Sequence, residues 1–226
     1  MINITITTLL LLLFYSLTSA SATVSTSPST IPPKPKSKYV NGIPQSPIVL
    51  VSSWDGDYDF EIDRPYLEKN INAFDCALWV NLPTTSSCPM FKQEECPPGN
   101  LTALKVSRSG KLNMSVVYPG GQQMYIHPLT HAGMITRVRY GMPEGAIKDG
   151  FKIEFNKYKR PLLANDLGSW IGCAADNARG PWKVFFELKG QTLDPQHLPG
   201  KDRKKCYDLQ LALLPVSERA YAYAYV

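Results

Sequence analysis

The chain is poor in the residues that most catalytic and metal sites use. Three of its 226 residues are histidine. Two of these, His127 and His131, flank Pro128, which indicates a loop where their spacing does not direct both rings at one metal. The sequence has no Gly-x-Ser-x-Gly elbow and no glycine-rich phosphate loop before a helical pattern. It therefore argues against an α/β-hydrolase, indicates no catalytic residue and implies no cofactor.

Apolar runs long enough to span a bilayer, about 20 residues, are also missing. The N-terminal run Leu9–Tyr15 is followed by small residues that end at Ala22, a pattern typical of a secretory signal peptide. We expect residues 1–22 to be a signal peptide. The mature protein would then be secreted, into the medium or the cell wall, without membrane insertion.

Excess positive charge is confined to one segment. The formal net charge is +5, from 24 basic and 19 acidic residues. Residues 23–47 hold three lysines and no acidic residue, so the rest of the chain is nearly neutral. No basic stripe carries interleaved aromatic residues, and we expect no nucleic-acid partner. The Ser/Thr/Pro-rich composition of residues 23–47 predicts a flexible linker.

Short segments rich in β-branched and aromatic residues fill residues 48–226. Turn-forming Gly, Pro and Asn residues separate them, as at 108–110, 119–121 and 143–145. This spacing predicts a single all-β domain over residues 48–226, an antiparallel β-sandwich or barrel of about ten short strands. Residues 64–74 are the one candidate for a helix.

Acidic residues alternate with apolar ones over residues 54–63. A strand would put Asp55, Asp57 and Asp59 on one face, where carboxylate oxygens suit a hard cation such as Ca²⁺. The glycine and glutamate that an EF-hand loop requires at its sixth and twelfth positions are absent. Two interpretations stay open: a cation site, and an amphipathic strand whose charges discourage edge pairing.

Tyrosine and alanine alternate at the C-terminus. In a strand, Tyr221, Tyr223 and Tyr225 would share one face. Such a stripe could stack on sugar rings, because a tyrosine combines an aromatic face with a polar edge. The alternative is that the alanines face a crowded interior while the tyrosines cover an outer face.

Two sequons in the predicted mature chain, at Asn100 and Asn113, predict N-glycosylation. A modified asparagine must face solvent.

Five cysteines occur, and none forms a Cys-x-x-Cys pair, so a zinc ribbon is poorly supported. Disulfides are the default in a secreted protein. An odd count leaves at least one thiol free or bonded to another chain.

Four sequence blocks resemble small secreted fungal proteins, the IgE-binding proteins, which are allied to the phialide-associated cell wall proteins. The blocks are Cys96–Asn100, Pro119–Ile126, Met142–Phe151 and Pro181–Leu188. The resemblance spans about residues 70–226. It implies secretion, association with the fungal wall or its surroundings, antigenicity and no established catalysis.

The resemblance also implies a cysteine pattern. The four cysteines that match it predict the bridges Cys88–Cys96 and Cys173–Cys206, which would staple the domain. Cys76 departs from the pattern and is expected to be free, or to link two copies as a disulfide-bonded dimer.

The leading hypothesis is a non-enzymatic secreted protein of the fungal wall or host interface, whose partner is a wall polysaccharide or a host protein. A carbohydrate-binding module that uses the three tyrosines is one alternative. An extracellular hydrolase is the other, since nineteen acidic residues leave a glycosidase-type pair open but unidentified.

Overall fold

The computed structural model describes residues 39–40, 43–44, 46–53, 66–89, 95–175, 180–216 and 221–226. All of them belong to one compact unit, Ser37–Val226. The predicted signal peptide, most of the predicted linker and the acidic residues Asp55, Asp57 and Asp59 lie outside the described residues. Whether the acidic segment binds a cation stays a prediction.

The described residues form seventeen strands and two short 3₁₀ turns, Pro195–His197 and Arg203–Lys205. The first nine strands are β1 Tyr39–Val40, β2 Ile43–Pro44, β3 Ile48–Ser53, β4 Asn70–Phe74, β5 Ala77–Val80, β6 Ser86–Ser87, β7 Ala103–Val106, β8 Leu112–Met114 and β9 Gln123–Ile126. The others are β10 Gly133–Ile135, β11 Phe151–Phe155, β12 Pro161–Asn165, β13 Gly168–Ala174, β14 Trp182–Leu188, β15 Cys206–Asp208, β16 Gln210–Pro215 and β17 Ala224–Tyr225. None of the helices in this part of the chain is long and apolar enough to cross a membrane.

Ten strands close into an antiparallel barrel. Their order is β12-β16-β3-β7-β8-β9-β10-β5-β14-β13, and β13 returns to β12 where Gly168 lies opposite Asn165. Strand β4 pairs with both β3 and β5, while β11 extends the sheet from β12 and β15 extends it from β13. The predicted all-β fold of about ten short strands is confirmed, and the architecture is the barrel.

Alternating side chains build the interior, as the pleat of a strand requires. In β14, Trp182, Val184 and Phe186 are at most 1 % exposed and belong to the main core. Trp170 packs edge-to-face on Phe186, with 4.9 Å between the ring centroids. Burying such aromatic rings contributes on the order of 2–3 kcal/mol each relative to exposure.

A second apolar cluster lies on the outer face of the sheet. Phe185 and Ile171 point away from the main core, and Leu193 and Leu198 cover them from the segment that follows β14. Aspartates cap both 3₁₀ turns of that segment. The Cys173–Cys206 disulfide then joins its end to β13.

The candidate helix over residues 64–74 does not form in its described part, residues 66–74. Asn70–Phe74 is a strand, hydrogen-bonded on one side to β3 and on the other to β5. Ile71 and Ala73 are buried while the residues between them are not, which is the period of two that a strand requires. Pairing with both neighbours outweighs the weak local helical pattern.

Strand β12 closes the barrel. It is five residues long and begins with a proline, and such a segment gives little local signal. One of its barrel partners, β16, is distant in sequence, since Leu162 lies opposite Ala212.

Candidate binding surface

The C-terminal segment 221–226 runs beside the β8–β9 connection. The amide of Val117 donates to the carbonyl of Ala222 over 3.1 Å, and the amide of Tyr118 donates to the carbonyl of Tyr223 over 3.0 Å. These bonds bring the rings of Tyr118 and Tyr223 together edge-to-face, with centroids 6.0 Å apart and an interplanar angle of 73°. Both residues are half-buried. We call Tyr118 and Tyr223 the tyrosine pair.

Open space adjoins the tyrosine pair. The chain turns directly after Tyr118, at the exposed residues 119–121, and the amide of Gly121 donates to the Tyr118 carbonyl over 2.9 Å. A β-carbon at Gly120 or Gly121 would have no neighbour within 4 Å, and both glycines have positive φ. Val117 is 50 % exposed. The surface around the pair is therefore accessible to a ligand.

Tyr225 does not belong to this surface. Its side chain is fully buried in the main core, as is the side chain of Ala222, and Ala224 is buried as well. The alternation of half-buried tyrosine and buried alanine therefore ends at Tyr223, and Tyr225 cannot contact a sugar in this fold. The reason is a set of buried hydrogen bonds that the repeated Tyr-Ala pattern does not reveal.

The Tyr225 hydroxyl donates to the carbonyl of Leu101 over 2.9 Å and accepts from the amide of Ala103 over 3.0 Å. Its backbone is bound by the side chain of Gln122, which accepts from the Tyr225 amide over 2.7 Å and donates to its carbonyl over 2.9 Å. Gln122 is itself 2 % exposed. These contacts fix the position of the whole C-terminal segment, and with it Tyr223.

Tyr221 is half-buried, and its carbonyl accepts from the amide of Gly99 over 3.4 Å. That contact places the predicted glycosylation site Asn100, which is exposed, next to the C-terminal segment. Asn113 is half-buried within β8, where its Oδ1 accepts from Gln123 Nε2 over 3.0 Å. Asn100 is thus the more accessible of the two sequons.

Tyr118 was missed by sequence reasoning. It lies over 100 residues before Tyr223. The local feature that indicates a surface position for Tyr118 is the Pro-Gly-Gly turn that follows it. A tyrosine next to a turn is common, so only the pairing of the two chain segments identifies Tyr118 as part of a candidate binding surface.

Two disulfides are present, and they join the same cysteines that we expected. Cys88 and Cys96 close a short loop, with Cα atoms 6.1 Å apart. Cys173 and Cys206 face each other across β13 and β15. Cys173 and Cys206 are also buried members of the second apolar cluster.

Cys76 carries a free thiol and is 7 % exposed. It occupies the turn between β4 and β5 with φ of 54°, and its carbonyl accepts from the amide of Ile135 over 2.8 Å. Burial of this side chain opposes formation of a bond to a second copy.

We expect Cys76 to react slowly with an aromatic disulfide reagent in the native protein and fully in about 6 M guanidinium, because the thiolate attacks only when it is accessible. One thiol per chain should be counted after unfolding. A native thiol that reacts within seconds, or a dimer that disappears on reduction, would contradict this prediction. A Cys76→Ser variant is the control that assigns the signal.

The histidines do not assemble a metal site. His127 Nδ1 accepts from the amides of Leu129 and Thr130, over 3.3 and 3.2 Å, and so orders its own loop. Burial, and after it the positive charges of His197 and His127, hold the pKa of His131 below its usual range. Within the described residues, no group of three or more His, Cys, Asp or Glu side chains is placed to hold a metal ion.

A shallow cleft of about 520 Å³ lies between the start of β13 and the end of β14. Its carboxylate, Glu187, is already paired, because Arg203 donates to it through Nε over 3.2 Å and Nη2 over 2.9 Å. No aromatic residue lines this cleft. The tyrosine pair is therefore the better candidate for a binding surface.

The chain is similar over part of its length to a secreted fungal protein. The chain is 30 % identical over 135 residues to an uncharacterized secreted protein of Arthroderma benhamiae. The match covers 58 % of this chain and 64 % of that protein, so it spans less than two thirds of the relative's length. No family model matches the chain, and no solved structure gives a significant match.

Proposed function

We propose that the chain is a secreted, non-enzymatic fungal protein of the cell wall or host interface that binds polysaccharide through the tyrosine pair. The observation that carries this proposal is the edge-to-face contact of Tyr118 and Tyr223 beside an open turn. Tyrosine rings offer an apolar face to the C–H groups of a sugar and a hydroxyl to its polar rim.

Secretion is supported by the signal-like N-terminus and by the relative, which is a secreted fungal protein. Association with the wall, and membership of the IgE-binding family, are supported by the four sequence blocks that resemble it. The exposed sequon at Asn100 fits an extracellular location, and a glycan there would lie near the C-terminal segment.

The rigid placement of the tyrosine pair favours binding over a merely structural role. Gln122 and Tyr225 hold the C-terminal segment through buried hydrogen bonds, so the rings need little reordering when a ligand arrives. Binding then avoids part of the entropy cost of ordering side chains at an interface.

Replacement of Tyr118 and Tyr223 together by alanine should weaken retention on insoluble β-glucan or chitin by roughly tenfold or more, since each ring contributes roughly 1 kcal/mol of apolar burial to the complex. A pull-down with the purified secreted protein, quantified over a range of polysaccharide concentrations, gives the affinity.

Two further variants make the test specific. Tyr118→Phe/Tyr223→Phe keeps both rings and should retain most of the binding. Tyr140→Ala removes a tyrosine that is 73 % exposed elsewhere on the surface and should bind as wild type does. Unchanged binding by the double alanine variant, with an unchanged unfolding midpoint, would contradict the proposal.

A further inference from the structure

All three histidines of the chain lie in two segments that pack against each other. His127 and His131 belong to the turn before β10, in which the amide of His131 donates to the carbonyl of His127 over 2.9 Å. His197 ends the first 3₁₀ turn after β14. We call residues 127–132 the histidine turn and residues 193–198 the covering segment.

Apolar contacts hold these two segments together. Ala132, at the end of the histidine turn, belongs to the second apolar cluster together with Leu198 of the covering segment. Ala132 also lies opposite Phe185 of β14, and Phe185 is fully buried. His131 and His197 each precede one of these apolar residues. The packing that buries Phe185 therefore also brings the two histidines close to each other.

His127 holds the histidine turn in a form that requires a neutral ring. Its Nδ1 accepts hydrogen bonds from the amides of Leu129 and Thr130, over 3.3 and 3.2 Å. An imidazole nitrogen accepts a hydrogen bond only while it carries no proton, and an imidazolium donates from both of its nitrogens. Protonation of His127 at Nδ1 therefore removes both bonds and leaves two N–H groups facing a third donor.

Protonation also places like charges together. Burial, and after it the positive charges of His197 and His127, lower the pKa of His131, so a proton on either neighbour disfavours a proton on His131. Among the described residues, one carboxylate is within reach of these rings, since Asp194 Oδ2 lies 4.0 Å from His197 Nε2. The Asp194 side chain is 57 % exposed, and its charge is therefore partly screened by solvent. One such carboxylate does not neutralise three imidazolium groups.

We propose that the three histidines form an acid-sensitive latch that releases the covering segment from the second apolar cluster. In a mildly acidic medium the rings become cations, the histidine turn loses the bonds to His127, and the two segments separate. Phe185 and Ile171, which are fully buried in the closed form, then contact water. The main core lies on the other face of the sheet and stays closed.

The direction of the pH dependence follows from the burial of His131. Its pKa in the closed form lies below the ordinary value of 6.5, so the open form takes up a proton first as the pH falls. The contribution of His131 to the closed form is complete above pH 6.5 and is lost as the pH falls through the folded-state pKa. Most carboxylates stay ionised down to about pH 5, so this range isolates the histidines.

The test is hydrogen exchange of the full secreted protein at about pH 7.5 and about pH 5, on either side of the histidine range, with each rate corrected for the intrinsic effect of pH. The amides of His197 and Leu198 donate to carbonyls within the covering segment, and the amide of Phe186 donates to the His131 carbonyl. Protection of these amides should fall roughly tenfold at the lower pH, as expected from the loss of two hydrogen bonds of ordinary strength. Amides of β3 should keep their protection.

Variants separate the charge of the rings from their packing. His127→Asn keeps a side-chain acceptor for the amides of the turn but does not titrate. The triple variant His127→Asn/His131→Gln/His197→Gln should keep its protection at about pH 5. His197→Gln alone changes a side chain that is 40 % exposed, so it should fold normally and show a clearly smaller loss than wild type. Lys105→Gln, at an exposed position of β7, is the control and should respond to pH as wild type does.

Equal protection of these amides at both pH values, or the same acid response in wild type, His197→Gln and the triple variant, overturns the proposal. A loss of protection that extends equally to β3 also contradicts it, because that result is global acid unfolding and not release of one segment. The test of the tyrosine pair is made at neutral pH, so the two proposals can fail separately.

Discussion

Replacement of Tyr225 by alanine is expected to lower the free energy of unfolding by about 4 kcal/mol. The ring is fully buried in the main core, and truncating a buried aromatic side chain typically costs about 3–5 kcal/mol. The loss also leaves the Leu101 carbonyl and the Ala103 amide without the hydroxyl that now pairs with them. Guanidinium unfolding followed by tryptophan fluorescence measures the change.

The exposed Tyr140 provides the comparison for this variant. Tyr140→Ala should change the free energy of unfolding by no more than about 0.5 kcal/mol, as surface substitutions usually do. A similar loss in both variants, or a loss below about 1 kcal/mol in Tyr225→Ala, would show that the C-terminal segment is not part of the core.

Tyr225→Phe separates the ring from the hydroxyl. Losing the two hydrogen bonds should cost about 1–3 kcal/mol at neutral pH. Burial raises the pKa of Tyr225 above its ordinary value of 10.0, so the folded protein holds the phenolic proton more tightly than the unfolded chain does. This contribution is complete below pH 10.0 and is lost as pH rises through the folded-state pKa. The difference in the free energy of unfolding between wild type and Tyr225→Phe should therefore narrow as the pH rises above 10.0 and through the folded-state pKa.

Removal of the Cys173–Cys206 disulfide is the second large effect, with an expected loss of about 3.5 kcal/mol. The two cysteines are 33 residues apart in sequence, and opening a loop of that size restores much conformational freedom to the unfolded chain. The bridge also closes the segment that covers Phe185 and Ile171. Cys173→Ala/Cys206→Ala should unfold at clearly lower denaturant, as measured by circular dichroism.

The Cys88–Cys96 pair serves as the internal standard. Its cysteines are 8 residues apart, so Cys88→Ala/Cys96→Ala should cost about 2.5 kcal/mol on the same argument. Equal losses, or the reverse order, would contradict the loop-length explanation. Both variants are best made with Cys76→Ser, which removes exchange with the remaining thiol.

The sequence alone predicts some features of this fold and not others. The alternation of apolar residues was enough to predict an all-β domain, because a strand has a period of two whatever it pairs with. The same alternation misplaced Tyr225, because a repeated Tyr-Ala pattern does not indicate where the solvent boundary falls. Strand β4 shows a related limit, since its two flanking strands decide its conformation.

By itself the sequence determined the β class, the approximate number of strands and the turns between them. These properties depend on neighbours within a few residues, where backbone sterics and side-chain alternation act. Tertiary structure alone decided that the sheet closes as a barrel through β12, that Tyr118 meets Tyr223, that Cys76 and Tyr225 are buried and that Phe155 is left exposed. Each of these depends on contacts between segments far apart in the chain. No local sequence pattern indicates which distant strand will pair with a given strand.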